Sequence, residues 1–275
     1  MYFVPCTLYF VHKEPPQFRF LCILKNISNQ IRAFGILFLS AISGLLVLAF
    51  SWLPKGGVYR FVSGSMWGPG LLAIVRAKWR VEGLRYIESQ TPCIFYANHT
   101  SLYDIPAICT AVPHPLYFIA KREILKIPLF GWGMYAIGMI FVDRSNPERA
   151  RISMEKAARA VEKGKSIITF PEGTRSKSGE LQPFKKGTFH LAKIGSITLI
   201  PIAVSGTHGI LPPGGKLQSG QEVLVRIGKP ITSEEVNSLT VNELTKFAHE
   251  RMRETLETDL TIKQSAIIFN QRETH

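Results

Sequence analysis

The chain has 275 residues, of which 46% are hydrophobic and 19% are charged. This composition excludes an intrinsically disordered or low-complexity protein and favours one large domain, alone or with an appended segment. The excess of 33 Lys and Arg over 20 Asp and Glu, a formal net charge of +13, indicates an anionic partner, either a nucleic acid or a membrane surface.

The N-terminal 80 residues carry nine of these basic side chains and one acid, Glu14. Within them, the 21 residues of segment 33–53 include no ionisable side chain. A helix of that length spans about 31 Å, which matches the ~30 Å hydrocarbon core of a bilayer. Nucleic-acid-binding arms are polar as well as basic, so the sequence predicts anionic membrane lipid as the partner and no nucleic acid. A buried core helix of a soluble protein is the alternative.

A second apolar stretch, Val58–Trp79, is interrupted by Gly64, Gly68, Pro69 and Gly70. Such a composition is more typical of an interfacial or re-entrant helix than of a second membrane span. Basic residues flank the first apolar run on both sides, so their distribution does not fix its orientation. A hairpin that enters one leaflet and returns would explain this symmetry.

From Arg80 onward, short β-branched runs alternate with helical segments. Strands are predicted at Cys93–Ala97, Leu116–Ile119, Met139–Val142, Ser166–Phe170, Thr198–Val204 and Glu222–Ile227. Helices are predicted at Ile105–Thr110, Pro147–Glu162, Thr188–Ile194 and Val241–Thr258. The alternation predicts an α/β domain, residues 80–275, with a largely parallel or mixed sheet flanked by helices. It would follow an N-terminal hydrophobic membrane-associated helical segment, residues 1–79.

The first polar cluster of this domain follows the predicted strand Cys93–Ala97 and extends from Asn98 to Asp104. His99 would lie in the turn, and Asp104 would lie in the first turn of the next helix. The carboxylate could accept a hydrogen bond from one imidazole nitrogen, which would fix the tautomer and leave the other nitrogen as a general base. The HxxxxD spacing alone is weak support, because a structural His–Asp hydrogen bond, or a helix cap at Asn98, Thr100 or Ser101, also accounts for these residues.

The second polar cluster is the loop that follows the predicted strand Ser166–Phe170. Gly173 allows the backbone to approach a ligand closely, and the amides and hydroxyl of Gly173 and Thr174 can cradle an anion. Arg175 supplies the bidentate guanidinium group that suits phosphate. Together with Glu172, these residues form a candidate binding loop for a phosphorylated substrate.

Further cations follow other predicted strands, as a site at the strand ends requires. Lys121 follows Leu116–Ile119, and Arg144 follows Met139–Val142. A single Lys or Arg is usually a solvated surface charge, but their common position predicts a phosphate site. The cysteines include no CxxC pair and no His at metal-ligand spacing, so no metal is expected; they are Cys6, Cys22, Cys93 and Cys109.

With these residues identified, the chain resembles the lysophosphatidic acid acyltransferase family, within the glycerolipid HxxxxD acyltransferases. The resemblance covers roughly residues 80–230 and rests on four blocks in the family's order. The blocks are Asn98–Asp104, Ala120–Glu123 with Ile127–Gly131, Phe170–Ser176 and Leu199–Thr207. Four ordered blocks are highly specific, and the third is a full match.

The resemblance implies that His99 is the general base and that Asp104 orients it. It also implies a substrate-binding set, which comprises Lys121, Arg144, Glu172, Gly173, Thr174 and Arg175. The acceptor would be lysophosphatidic acid, the donor acyl-CoA or acyl carrier protein, and the product phosphatidic acid, with no cofactor. The enzyme would be a membrane protein with its catalytic domain on the cytoplasmic face.

The sequence leaves three other functions open. The acceptor could be glycerol 3-phosphate, another lysophospholipid or a lyso-aminolipid, because the four blocks are shared across the wider family. His99 could activate water in a thioester hydrolase. A membrane-anchored basic adaptor would have no activity at all.

Overall fold

The computed structural model describes residues 16–87, 92–143 and 147–272. The strands are β1 (Lys78–Glu82), β2 (Ile94–Ala97), β3 (Leu116–Lys121), β4 (Ile140–Val142), β5 (Ser166–Thr169), β6 (Leu199–Ser205) and β7 (Glu222–Ile227). The α-helices are α1 (Pro16–Ala49), α2 (Lys55–Tyr59), α3 (Gly68–Ile74), α4 (Asp104–Ala111), α5 (Phe130–Ala136), α6 (Pro147–Glu162), α7 (Gly187–Gly195), α8 (Thr207–Ile210), α9 (Ser233–Ser238) and α10 (Val241–Arg272). A π-helix occupies Arg60–Trp67, and short 3₁₀ turns occupy Leu84–Tyr86 and Arg122–Lys126.

The seven strands form one sheet in the order β1-β7-β6-β2-β5-β3-β4. Strands β6, β2, β5, β3 and β4 are parallel, and β7 pairs antiparallel with β6. The predicted α/β class with a mixed sheet is therefore confirmed. Because the five parallel strands share one direction, the turns after β2, β3, β5 and β6 meet at the same edge of the sheet.

Strand β1 was not predicted, because its sequence lies at the end of the apolar stretch Val58–Trp79. The stretch is helical as far as Ile74 and then turns into this edge strand. β1 pairs in parallel with β7, where Arg226 and Glu82 form an ion pair with an N–O distance of 2.8 Å. Tertiary pairing decides the structure of these five residues, since edge strands of mixed polarity have little local signal.

The sheet separates two hydrophobic cores, and alternate residues of β2 point to opposite sides, as the two-residue period of a strand requires. Phe95 belongs to the core that contains residues of α1, α2, α3 and α4. Ile94 and Tyr96 belong to the core formed with α6, α7 and α10. Residues of segment 1–79 thus share a core with the sheet, while the predicted division into regions 1–79 and 80–275 stays a prediction.

Helix α1 lies lengthwise against the rest of the protein. The Asn29 side chain donates to the carbonyl of Leu217 (3.2 Å), and Ser40 Oγ accepts from the indole of Trp67 (3.0 Å). Farther along, a Cβ at Gly44 would lie 2.5 Å from the carbonyl oxygen of Leu129, so a glycine is required for α1 to approach α5. These contacts extend over 15 residues, or about 22 Å of helix.

Candidate active site

Asn98 fixes the point at which the chain leaves β2. Its side chain donates to the carbonyl of Val204 (2.9 Å) and accepts from the amide of the same residue (2.8 Å), so it continues the β2–β6 ladder through an amide side chain. The residue is buried. Its contacts are with β6, so Asn98 is not the helix cap that the sequence allowed at Asn98, Thr100 or Ser101. His99 therefore begins the turn from a position that is tied to the sheet.

His99 and Asp104 form the hydrogen bond that their spacing predicted, with 2.8 Å between Nδ1 and Oδ2. Asp104 is fully buried. The same Oδ2 accepts from the amides of Thr100 (2.8 Å) and Ser101 (2.9 Å), and Oδ1 accepts from the hydroxyl of Thr207. Because this buried carboxylate accepts from several donors, we interpret Nδ1–H of the imidazole as a further donor to Oδ2, which leaves the lone pair of Nε2 free.

The imidazole of His99 is also held by stacking. Its ring lies 4.0 Å from the ring of Phe170, centroid to centroid, with 21° between the planes. Phe170 follows β5 directly, so two adjacent parallel strands supply the imidazole and the aromatic ring beside it. The ring orientation is thus fixed by a hydrogen bond at Nδ1 and by a neighbour on one face.

Glu172 connects the phosphate-loop candidate to the backbone of His99. Its Oε1 accepts from the His99 amide (2.7 Å) and its Oε2 from the Gln182 amide (3.3 Å). The amide of Ser176 donates to the carbonyl of His99 (2.7 Å). The loop after β5 therefore binds both the N–H and the C=O of the histidine. Glu172 is buried, and its contacts indicate that it positions the site rather than meets the substrate.

Burial raises the pKa of Glu172 from 4.5 to about 7, and the negative charge of Asp104 contributes to this rise. Hydrogen bonds from the His99 and Gln182 amides act in the opposite direction. The folded protein therefore holds this proton more tightly than the unfolded chain does. It follows that the carboxyl group's contribution to stability decreases as the pH rises from about 4.5 to about 7.

We expect Glu172→Gln to remove this pH dependence, because an amide does not ionise. Between about pH 4.5 and 7, the Tm of the wild-type protein should fall relative to that of the variant, whatever constant offset the lost hydrogen bond introduces. Thermal unfolding of both proteins across this range measures the effect. Parallel Tm curves would contradict the raised pKa.

The predicted anion loop has the backbone geometry that its glycine suggested. Gly173 has a φ of +78°, in the left-handed region. The side chain of Lys185 packs over this glycine so closely that a Cβ at Gly173 would lie 2.9 Å from Nζ. Lys121, at the end of β3, pairs with Glu123 at 3.3 Å on the surface. Arg144 lies outside the residues that the structure describes.

A cavity of about 440 Å³ brings most of the predicted site residues together. His99, Lys121, Gly173, Thr174 and Arg175 line it. The rest of the lining is predominantly apolar and comes from α1, α2, the π-helix, α4, β3 and α5; examples are Val47, Val62, Trp67, Ile105, Phe118, Phe130 and Met134. Its volume lies within the range of small-molecule pockets, about 300–1,000 Å³. The arrangement can hold a hydrocarbon chain with a base and cations at one side.

The sequence did not single out three of the residues that support this site. Thr207 donates to Asp104, Phe170 stacks on His99, and Gln182 donates to Glu172. The first two lie inside the blocks on which the resemblance rests, so a signal existed for them. Gln182 donates through its backbone amide, which nearly every residue type has, so the sequence could not identify it. Within the described residues, no group of three or more His, Cys, Asp or Glu side chains is arranged to hold a metal ion.

Comparison with known proteins places this geometry in a family. The Acyltransferase family matches residues 78–205. The 1-acyl-sn-glycerol-3-phosphate acyltransferase of Cocos nucifera is 34% identical over 206 residues, which are 74% of this chain and 65% of that protein. The Caenorhabditis elegans relative acl-2 is 30% identical over 210 residues, 74% of this chain and 71% of its own length. The chain belongs to the 1-acyl-sn-glycerol-3-phosphate acyltransferase family.

The fold agrees with this membership. The crystal structure of the 1-acyl-sn-glycerophosphate (LPA) acyltransferase PlsC from Thermotoga maritima superposes with a TM-score of 0.71 at 28% identity, covering 84% of this chain and 95% of that one. The chain spans 65%, 50% and 56% of the length of the first three curated relatives. The resemblance inferred from the four sequence blocks is therefore confirmed at the level of family and fold.

Proposed function

We propose that this protein transfers a fatty-acyl group from an acyl thioester to the free sn-2 hydroxyl of lysophosphatidic acid, which yields phosphatidic acid. The observation that carries the proposal is the position of His99 beside an apolar cavity that Arg175 and Lys121 also line. Family membership supports the same reaction, because the Cocos nucifera relative is named a 1-acyl-sn-glycerol-3-phosphate acyltransferase.

In the proposed mechanism, Nε2 of His99 takes the proton of the acceptor hydroxyl as its oxygen attacks the thioester carbonyl. Asp104 stabilises the imidazolium ion that forms. Collapse of the tetrahedral intermediate completes the new ester, breaks the C–S bond, and sends the proton from the imidazolium to the departing thiolate. The acyl group passes directly between substrates, so neither Ser nor Cys is needed as a nucleophile.

The substrate charges and chains are assigned to different parts of the cavity. Arg175, Lys121 and the backbone of Gly173 and Thr174 would hold the acceptor phosphate, and Glu172 would keep this loop in register with His99. The apolar part of the cavity would take the acyl chain of the donor. Arg144 is retained as a phosphate ligand on the resemblance alone.

A product assay with purified protein tests this proposal and separates it from its rivals. Lysophosphatidic acid, glycerol 3-phosphate, other lysophospholipids and a lyso-aminolipid are offered with labelled acyl-CoA or acyl carrier protein. We expect labelled phosphatidic acid to be the main product. Free fatty acid released equally with and without acceptor would instead indicate a thioester hydrolase, and no turnover with any pair would indicate an adaptor.

Arg175→Ala should lower kcat/KM for the acceptor by about ten- to a hundred-fold, because charge-assisted hydrogen bonds contribute about 1.5–3 kcal/mol. The KM for the donor should change far less, since the thioester lies away from the phosphate. Arg175→Lys should recover part of the loss, because an ammonium group lacks the bidentate geometry. Steady-state kinetics with each substrate varied in turn measure these effects. If the kinetic parameters for donor and acceptor worsened equally, Arg175 would have a structural role instead.

Association with a membrane is part of the proposal. The helix Ile27–Ala49 is long and apolar enough to cross a bilayer. Its side chains Ile31, Phe34 and Phe38 are 57–70% exposed, whereas the opposite side contacts the protein along about 22 Å. If α1 crossed the bilayer perpendicular to its plane, the part of the α/β domain that contacts α1 would also lie in the hydrocarbon. We therefore propose that α1 lies with its outer side in one leaflet, with the catalytic domain on the cytoplasmic face.

Replacing Ile31, Phe34 and Phe38 together by Ser should abolish most co-flotation with anionic vesicles while leaving the Tm nearly unchanged, because these side chains are 66%, 70% and 57% exposed. Ile194→Ser is the control, since Ile194 is equally exposed (69%) and belongs to α7, whose buried residues pack on the other side of the sheet from those of α1. Flotation of the triple variant at the wild-type level would show that α1 is not the main contact with the bilayer.

A further inference from the structure

A second apolar cleft, of about 370 Å³, lies between the end of α1 and the helices that follow it. Within the described part of the chain its lining is entirely apolar and includes Leu46, Phe50, Leu53, Val58, Phe61 and Val62. None of the residues of the His99 turn or of the phosphate loop belongs to this lining. The lining of the cleft therefore supplies no catalytic group, and its composition suits a hydrocarbon chain.

Val62 is a common wall of this cleft and of the catalytic cavity. On α1, Ser43 and Val47 line the catalytic cavity, whereas Leu46 and the next residue after the helix, Phe50, line the cleft. The two spaces thus lie on either side of one helix–helix contact. Two chains bound in them would run next to each other, with Val62 between them.

The cleft is open towards the side that we assign to the bilayer. Phe50 and Phe61 at its rim are 44% and 65% exposed, while Val58 and Val62 at its base are nearly buried. The rim continues into the exposed apolar side of α1, where Leu45 is 56% exposed. An apolar surface of this kind is unfavourable in water and marks a site for an apolar partner.

We propose that this cleft binds the hydrocarbon chain that the lyso-acceptor already carries, while the catalytic cavity takes the chain of the donor. The proposal rests on the function proposed above. The thioester carbonyl must reach His99, so the donor chain has to begin in the cavity that His99 lines. The product carries two chains on adjacent glycerol carbons, and a second apolar site that shares one wall with the first meets that requirement. The acceptor is a bilayer lipid, which reaches the open rim of the cleft directly.

Gly57 offers a way to fill the cleft without disturbing the fold. It lines the cleft, has ordinary helical backbone geometry, and a Cβ placed on it would meet no atom within 4 Å. Gly57→Leu also improves the helix propensity of α2. Gly56→Ala is the control for that change, because its Cβ faces Pro115 at 3.4 Å and Gly56 does not line the cleft.

The experiment measures kcat/KM for lysophosphatidic acids with acyl chains of about 6 and about 18 carbons, each with a fixed donor. Gly57→Leu should lower kcat/KM for the long acceptor by about tenfold, since two displaced methylene groups have an effect of that size. The short acceptor, the donor-chain series and the Gly56→Ala variant should stay within about twofold of wild type. Phe61→Ala is a second variant: it trims an exposed side chain, keeps the fold, and should reduce the preference for the long acceptor.

Other outcomes overturn the proposal in distinguishable ways. Wild-type kinetics for both variants with every acceptor would show that the cleft is only a lipid-facing surface, with the proposed reaction intact. A loss that follows donor chain length would assign the cleft to the donor. A wild-type protein that acylates none of the lyso-acceptors would remove the proposed function and this assignment together.

Discussion

His99→Ala should lower kcat by about 10²–10⁴-fold, which is the usual contribution of a positioned general base. In the structure, Nδ1 of His99 is bonded to Asp104 at 2.8 Å, so Nε2 is the nitrogen available to the substrate. The methyl group of alanine cannot accept a proton, and water would have to replace the base without being positioned. Single-turnover transfer to lysophosphatidic acid measures the loss directly.

The fold should survive His99→Ala. Asp104 keeps hydrogen bonds from the Thr100 and Ser101 amides and from the Thr207 hydroxyl, and the His99 backbone keeps its bonds to the loop after β5. Flotation with vesicles and the far-UV spectrum should therefore match those of the wild-type protein. If the variant retained a tenth of wild-type turnover, His99 would not be the base.

Much of the site could be predicted because its chemistry is local in the sequence. His99 and Asp104 are joined across one turn, and Gly173 adopts the left-handed backbone that its residue type allows. Alternating apolar runs predicted six of the seven strands, with ends that differ by at most two residues. Helix Pro147–Glu162 was predicted with the bounds it has, because a proline begins it and Gly164 follows it.

The remaining features depend on contacts between residues that are distant in the sequence. Asn98 was interpreted as a possible cap, but its partner is Val204, 106 residues away. Strand β1 exists because β7 pairs with it. The apolar run of α1 suggested a membrane span, yet no local pattern indicates that Gly44 lies against Leu129. The periodicity of a sequence shows which face of a helix is apolar, but it does not show which other element packs against that face.

Asp104→Asn is the second change for which we expect a large loss of kcat, on the order of a thousand-fold. Oδ2 of Asp104 accepts from the amides of Thr100 and Ser101 as well as from Nδ1 of His99. These two amides require an acceptor, so the carbonyl oxygen of Asn will occupy the Oδ2 position. Its NH₂ group then faces the Thr207 hydroxyl, which can also accept. The variant therefore keeps the tautomer of His99 and loses the negative charge.

The size of the effect follows from that charge. An imidazolium and a carboxylate about 4 Å apart attract each other by roughly 4 kcal/mol at an effective dielectric constant near 20, and this is equivalent to about a thousand-fold in rate. If the amide instead presented its NH₂ group to the imidazole, kcat would fall further, by about ten-thousand-fold, as in the corresponding serine protease variant. The measured kcat distinguishes a loss of about a thousand-fold from one of about ten-thousand-fold, and a kcat within tenfold of wild type would show that Asp104 only supports the turn.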